Sequence, residues 1–238
     1  MSTLPSITIL LPCFNPPEGW EQQVVSSMDI LKKALKEKAD EIHLVIVNDG
    51  STKNCSATQQ NYVLTNITNS QFVNYDENRG KGYALREGVK KTQTELIVYT
   101  DIDFPYQEES VLQIANSLLK GADVVLGHRG KDYYNKTPWF RKVISKTLRW
   151  VLKTFLRLPT DDSQCGLKGY NKEGAQVFLN TRIDRFLFDL EFIKLAARKK
   201  LKIEKVSVNL KPNVVFSKVN TGVLLREFGN FIKVLFRK

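Results

Sequence analysis

Two aspartates stand one residue apart in T-D-I-D-F. Asp101 and Asp103, with Ile102 between them, close an apolar run that reads as a buried strand. On an extended chain, positions i and i+2 point the same way, so the two carboxylates crowd one another. Like charges this close retain a proton unless a cation meets them. A hard divalent ion held by one or two carboxylates and substrate phosphates is the usual arrangement for Mg2+, and Mn2+ accepts the same oxygens. A solvated turn with two surface acids is the plainer alternative, and the neighbouring strand ends weigh against it. One runs into P-C-F-N-P-P-E-G, the next into N-D-G-S-T, and a third into D-E-N-R-G-K-G. Asp49 ends the second strand, where doubly wound folds place an acid that reads ribose or base, although a D-G turn or helix cap accounts for it equally well. Arg79 and Lys81 flank a glycine at a helix start, which suits diphosphate oxygens. No G-x-G-x-x-G follows the first strand, so a dinucleotide cofactor is disfavoured.

The elements that must position these groups follow from periodicity. Apolar runs at 7–11, 42–47, 72–75, 95–100 and 122–127 read as strands, and helix-period segments at 19–38, 80–91 and 108–120 lie between them. Strand and helix alternating at this spacing predict an α/β fold with a mostly parallel central sheet, which binds ligands beyond the carboxyl ends of its strands. The second half is expected to hold a basic helix over 138–158, a Gly- and Cys-containing loop over 161–170, a helix over 184–199 and a strand over 203–210. A basic C-terminal helix from about Val223 completes it. Without a visible linker, the division is one domain, 1–212, with a C-terminal extension, 213–238.

Composition bounds the function. The 238 residues carry 36 Lys+Arg against 25 Asp+Glu, a formal charge of +11 that calls for an anionic partner. A nucleic-acid binder would need aromatics exposed among basic residues, and here the aromatics fall at apolar periodic positions. Cys13, Cys55 and Cys165 are odd in number and lack metal-site spacing, which argues for a reducing compartment. Cys165 reads as a small packing residue rather than a nucleophile, and His43 as structural. No apolar run reaches the roughly 18 residues needed to span a bilayer. The start M-S-T-L-P-S lacks the basic region of a signal peptide.

Taken in order, these segments resemble the family-2 glycosyltransferases of GT-A (Rossmann-like) fold, from about Thr8 to Pro212. L-L-P-C-F-N-P-P-E-G is similar to the family's opening segment through Phe14, Asn15 and Glu18. V-N-D-G-S-T is similar to its Asp-Asp-Gly-Ser-Thr, with Asn48 replacing the first acid and Asp49 retained. N-R-G-K-G-Y-A matches through Asn78, Gly80, Gly82 and Ala84, and T-D-I-D-F takes the place of the metal-binding Asp-x-Asp. The second half looks closest to the dolichyl- and polyprenyl-phosphate sugar transferases. There, A-D-V-V-L-G-H-R matches through Arg129, with His128 in place of serine. D-D-S-Q-C-G-L-K and F-L-F-D-L-E-F match through Gln164, Cys165, Lys168, Phe188, Asp189 and Glu191. Pro105 stands where some members have a third metal ligand.

The resemblance implies an inverting hexosyl transfer from a UDP- or GDP-sugar, with Mg2+ or Mn2+ on Asp101 and Asp103. It implies donor contacts from Pro12, Phe14, Asn15, Glu18, Asp49, Asn78, Gly80, Lys81, Asp101, Ile102, Gln164 and Lys168. Asp103, Asp162 and Arg129 are the expected catalytic residues. Arg129, Lys81 or Arg79 would stabilise the leaving charge. A lipid-phosphate acceptor needs no general base, whereas a sugar hydroxyl would need one, and Asp162 is then the first candidate. The stretches 138–159 and 223–238 have apolar and basic faces, with no acid in the first. They suit either packing on the sheet or attachment to the cytoplasmic face of a membrane.

Overall fold

The structure is a computed structural model that describes residues 4–130, 159–160, 162–185 and 187–212. The basic stretch at 138–158 and the extension 213–238 lie outside these residues. Seven strands form one sheet: β1 (Ile7–Cys13), β2 (Ile42–Asp49), β3 (Ser70–Tyr75), β4 (Leu96–Tyr99), β5 (Val124–Arg129), β6 (Lys168–Asn171) and β7 (Ile203–Val208), in the order β3-β2-β1-β4-β6-β5-β7. β6 runs antiparallel to both β4 and β5; every other pairing is parallel. The expected mostly parallel α/β sheet is therefore present.

The strand sequences explain the layering. Side chains alternate across a strand, and both faces are apolar. Ile9 and Leu11 of β1, Leu44 and Ile46 of β2 and Val98 of β4 face one core, whereas Leu10, Val45, Val47, Ile97 and Tyr99 face the other. The first core is covered by α1 (Trp20–Leu35), α2 (Ala57–Asn66) and α4 (Glu108–Leu119). The second is covered by α3 (Lys81–Lys91) and by two further helices, α5 (Lys172–Leu179) and α6 (Phe188–Arg198). In α1 the buried Val24, Met28, Leu31 and Leu35 recur at helical spacing.

Three elements were not expected. α2 has a weak apolar stripe, with Val63 its one buried residue, yet its start carries a capping box: Ser56 caps the amide of Gln59, and the Gln59 side chain returns to the Ser56 amide. β6 overlaps the end of the loop expected over 161–170, and α5 lies between that loop and the helix expected over 184–199. β6 is four residues long and includes Gly169, so it has too little pattern to read as a strand, and Asn171 caps the helix that follows.

Candidate active site

The loops after β1, β2, β3 and β4 converge at one end of the sheet, around a cleft of about 390 Å³. Pro12, Phe14, Asp49, Asn78, Gly80, Lys81, Asp101 and Ile102 line it, joined by Cys13 and Arg185. Eight of the sequence-derived positions are thus brought together. Asn15, Glu18, Asp103, Arg129, Asp162, Gln164 and Lys168 do not line the cleft.

The loops are held by short polar side chains. Asn15, at a φ of 45°, accepts from the amides of Thr52 at 2.8 Å and Lys53 at 3.0 Å, tying the loop after β1 to that after β2. Asp49 is buried. Its carboxylate accepts from the Arg79 amide at 2.8 Å, the Gly80 amide at 2.9 Å and the Asn78 side chain at 2.8 Å. It therefore fixes the Asn78–Gly80 turn that starts α3. Gly80 sits at a φ of 107°, and a Cβ there would lie 2.6 Å from the Asp184 carbonyl, so both conformation and space demand glycine. Arg79 stacks on Tyr83 with its guanidinium 3.8 Å from the ring centroid, and is not part of the cleft lining.

Asp101 and Asp103 do not lie on extended chain. The amide of Phe104 donates to the Asp101 carbonyl at 3.0 Å, closing a tight turn, and Phe104 takes a φ of 43° with its ring fully buried. A bulky residue in the left-handed region costs on the order of 1–3 kcal/mol, and burial of the aromatic ring offsets it. The two acids differ in burial and partner. Asp101 is half-buried and paired with the ammonium of Lys81, the first residue of α3, whereas Asp103 is exposed. Burial of its carboxyl, followed by the charge of Asp101, raises Asp103 above the ordinary carboxylate range even though the residue as a whole reaches solvent. The cation that meets the first acid is thus supplied by the chain itself.

The loop 162–167 lies against this turn. A Cβ on Gly166 would come within 2.7 Å of Asp101 Oδ2, so glycine is required for the close approach. The Gly166 amide donates to the buried Tyr106 hydroxyl at 3.0 Å. At its other end Asp162 receives the Arg129 guanidinium through two bonds, Nε at 2.9 Å and a terminal nitrogen at 2.6 Å, and the Arg129 amide at 2.9 Å. Asp162 is 2% exposed, so this is a buried bidentate pair. Lys168 is fully buried. It contacts Asp189 at 3.0 Å and the Cys165 carbonyl, and Asp189 also accepts from the Tyr99 hydroxyl. Ser163 Oγ and Gln164 Nε2 are buried without a hydrogen-bond partner. Cys165 packs at 0% exposure beside Tyr106, as a packing residue should.

The sequence does not single out Arg185: the helix expected over 184–199 begins only at Phe188, which leaves Arg185 in the loop before it. Its neighbours carried the signal. Glu191, in the F-D-x-E match, accepts the amides of Arg182 and Ile183 at 2.8 and 2.9 Å. Arg86 of α3 binds Thr181, the Ile183 carbonyl and Asp184. These bonds fix the 181–185 loop against α3 and present Arg185 to the cleft.

Among the described residues, no helix is long and apolar enough to cross a membrane. The glycosyl transferase family 2 profile matches residues 8–201. A dolichyl-phosphate beta-glucosyltransferase of Trichomonas vaginalis is 25% identical over 239 residues, covering 96% of this chain and 72% of the relative. The human dolichyl-phosphate beta-glucosyltransferase is 25% identical over 227 residues, 87% of this chain and 70% of the relative, and that of Saccharomyces cerevisiae is 22% identical, with 85% and 66% covered. The chain thus spans about two thirds of the length of these relatives. Among solved structures, glucosyl-3-phosphoglycerate synthase from Mycobacterium tuberculosis superposes with a TM-score of 0.68 at 16% identity, covering 97% of this chain and 78% of that one. The same enzyme in complex with Mn2+, uridine diphosphate and glucosyl-3-phosphoglycerate gives 0.65. The chain has the GT-A fold, is a glycosyltransferase, and belongs to glycosyl transferase family 2.

Proposed function

We propose that this chain transfers glucose from UDP-glucose to a dolichyl or related polyprenyl phosphate, with inversion at the anomeric carbon. The acceptor phosphate oxygen forms a bond to that carbon, the bond from carbon to the diphosphate oxygen breaks, and UDP leaves. The observation that carries this reading is the cleft at the ends of β1, β2 and β4, where Lys81, Arg185, Asp101 and the Asn78–Gly80 turn face one space sized for a ligand. The exposed ring of Phe14 offers a flat apolar surface to a base, while Lys81 and Arg185 attract diphosphate.

The donor set suits a divalent cation. Asp101 and Asp103 offer hard carboxylate oxygens on one turn. Among the described residues no cluster of three or more His, Cys, Asp or Glu gathers, so diphosphate oxygens would complete the coordination. A cation bound there would neutralise charge on the leaving diphosphate.

The state of two of the acids supports an acceptor that is already ionised. A hydroxyl acceptor needs a carboxylate able to take a proton. Asp162, the first candidate for that role, is instead clamped on Arg129 in a buried bidentate pair, and Asp189 is held by Lys168 and Tyr99. An acceptor already ionised near neutrality needs neither of them as a base. Asp162 then serves to fix Arg129, whose charge suits an acceptor phosphate or the leaving group. The names of the relatives agree with this acceptor. The +11 charge and the basic stretches 138–159 and 223–238 suit work as a peripheral protein at an anionic, cytoplasmic membrane face.

Transfer of labelled glucose from UDP-glucose, with Mn2+ or Mg2+, tests the proposal against dolichyl phosphate, dolichol and 3-phosphoglycerate. Product on dolichyl phosphate alone is expected. Turnover on a soluble hydroxyl with none on any polyprenyl phosphate would overturn it.

A further inference from the structure

Lys81 holds the first of the two turn aspartates. Its ammonium contacts Asp101 Oδ1, while Asp101 Oδ2 faces the backbone of Gly166, where a Cβ would come within 2.7 Å. Gly166 crowds Oδ2 and an ammonium already sits on Oδ1, so a cation that reaches this carboxylate from the cleft meets Lys81 beside it. A divalent ion and an ammonium sharing one carboxylate repel each other. Lys81 also has another place to go. It is the first residue of α3, it stands after Gly80 on a long unbranched stem, its side chain is 21% exposed, and it lines the same cleft.

We infer that Lys81 is a positioning residue that exchanges partners: it neutralises Asp101 when the cleft is empty and moves to the nucleotide diphosphate when that ligand arrives. The inference rests on the reading of the cleft as a site for a divalent cation and a nucleoside diphosphate. Its consequence is a coupling. The cation alone must displace Lys81 from Asp101, so it binds weakly. The diphosphate draws the ammonium away and frees the carboxylate, so each ligand strengthens the other, by the same factor in both directions. An ordered site is assembled with the donor present, and free cation occupies Asp101 only weakly beforehand.

The experiment is a Mn2+ titration followed by the electron paramagnetic resonance signal of free Mn2+, with and without UDP, on the wild type and on Lys81→Met, Lys81→Gln and Lys81→Arg. Thermal unfolding is recorded for each, and Gln serves as the second neutral variant should Met fail to fold. Without UDP, the neutral variants should bind Mn2+ more tightly than wild type, within the roughly 5- to 150-fold range of such couplings. Lys81→Arg, which keeps the charge, should bind Mn2+ as weakly as wild type. UDP should strengthen Mn2+ binding more in the wild type than in the neutral variants. Neutral variants that bind Mn2+ alone no more tightly than wild type, while UDP still promotes Mn2+ binding, would overturn the exchange and leave the cleft reading standing. No Mn2+ binding by any form even with UDP would overturn both.

Discussion

The two sides of the cleft are built by different physics. At the ends of β1, β2 and β3, short side chains hold turns through neutral or singly charged hydrogen bonds: Asn15 to two amides, Asn48 to the Ser51 amide, Asp49 to the Asn78–Gly80 turn. On the side of β4, β6 and β5, charges meet charges, as Lys81 with Asp101, Arg129 with Asp162 and Lys168 with Asp189. A turn bond net of water contributes about 0.5–1.5 kcal/mol. A buried ion pair contributes little net stability, yet removing one partner is severe because the other remains charged and desolvated. The first side should therefore yield gradually to substitution, and the second abruptly.

Asp162→Ala tests the abrupt side and should show the largest effect. It leaves the Arg129 guanidinium without its bidentate partner and should cost about 3–5 kcal/mol in urea unfolding, with the paired replacement Arg129→Met and Asp162→Leu recovering much of the loss. Normal stability with abolished transfer would instead return Asp162 to the role of general base.

Asp49→Ala tests the gradual side. It removes the acceptor of two amides and one side-chain donor, and a charge-assisted bond of this kind contributes about 1.5–3 kcal/mol. Stability and UDP affinity should fall together, because the turn that starts α3 loosens. Loss of UDP affinity, about ten- to a hundredfold, with stability unchanged would mean that Asp49 contacts the base and does not hold the turn.

This contrast also marks what could be read without a structure. Turn residues announce themselves: N-D-G-S-T, N-R-G-K-G and D-I-D-F each follow an apolar run, so their gathering at strand ends follows from the parallel sheet. Ion pairs across loops do not, because the partners of Arg129, Lys81 and Lys168 lie 33, 20 and 21 residues away, at distances no local pattern encodes. The motif assigns Lys168 to the donor contacts, but β6 turns it into the core. The extended geometry expected of Asp101 and Asp103 gave way to a turn, since Phe104 in the left-handed region cannot be foreseen from its residue type. Arg185 depends on Arg86 and Glu191, which anchor its loop from two helices.

The smallest effect should come from the start of α4, just beyond the turn that carries the two aspartates. Glu108 accepts from Ser27 and from Lys211, each at 2.6 Å. Desolvation works against its charge, but the Lys211 and Ser27 bonds outweigh it and hold the carboxyl below its ordinary range. A depressed native value means stability that is present above the unfolded carboxyl range and lost as pH falls through the native one. Glu108→Gln should cost about 1 kcal/mol near neutrality, and the gap to wild type should close as pH falls below the ordinary carboxylate range. A gap that persists in acid would assign the effect to packing.

Calorimetry of UDP binding with Mn2+ and with chelator, on the wild type, Asp101→Asn and Asp103→Asn, tests the central claim most directly. UDP should bind more tightly with Mn2+ to the wild type, and each variant should lose that gain while unfolding normally. UDP affinity indifferent to Mn2+, or a gain that survives both substitutions, would contradict a donor site built on these two aspartates.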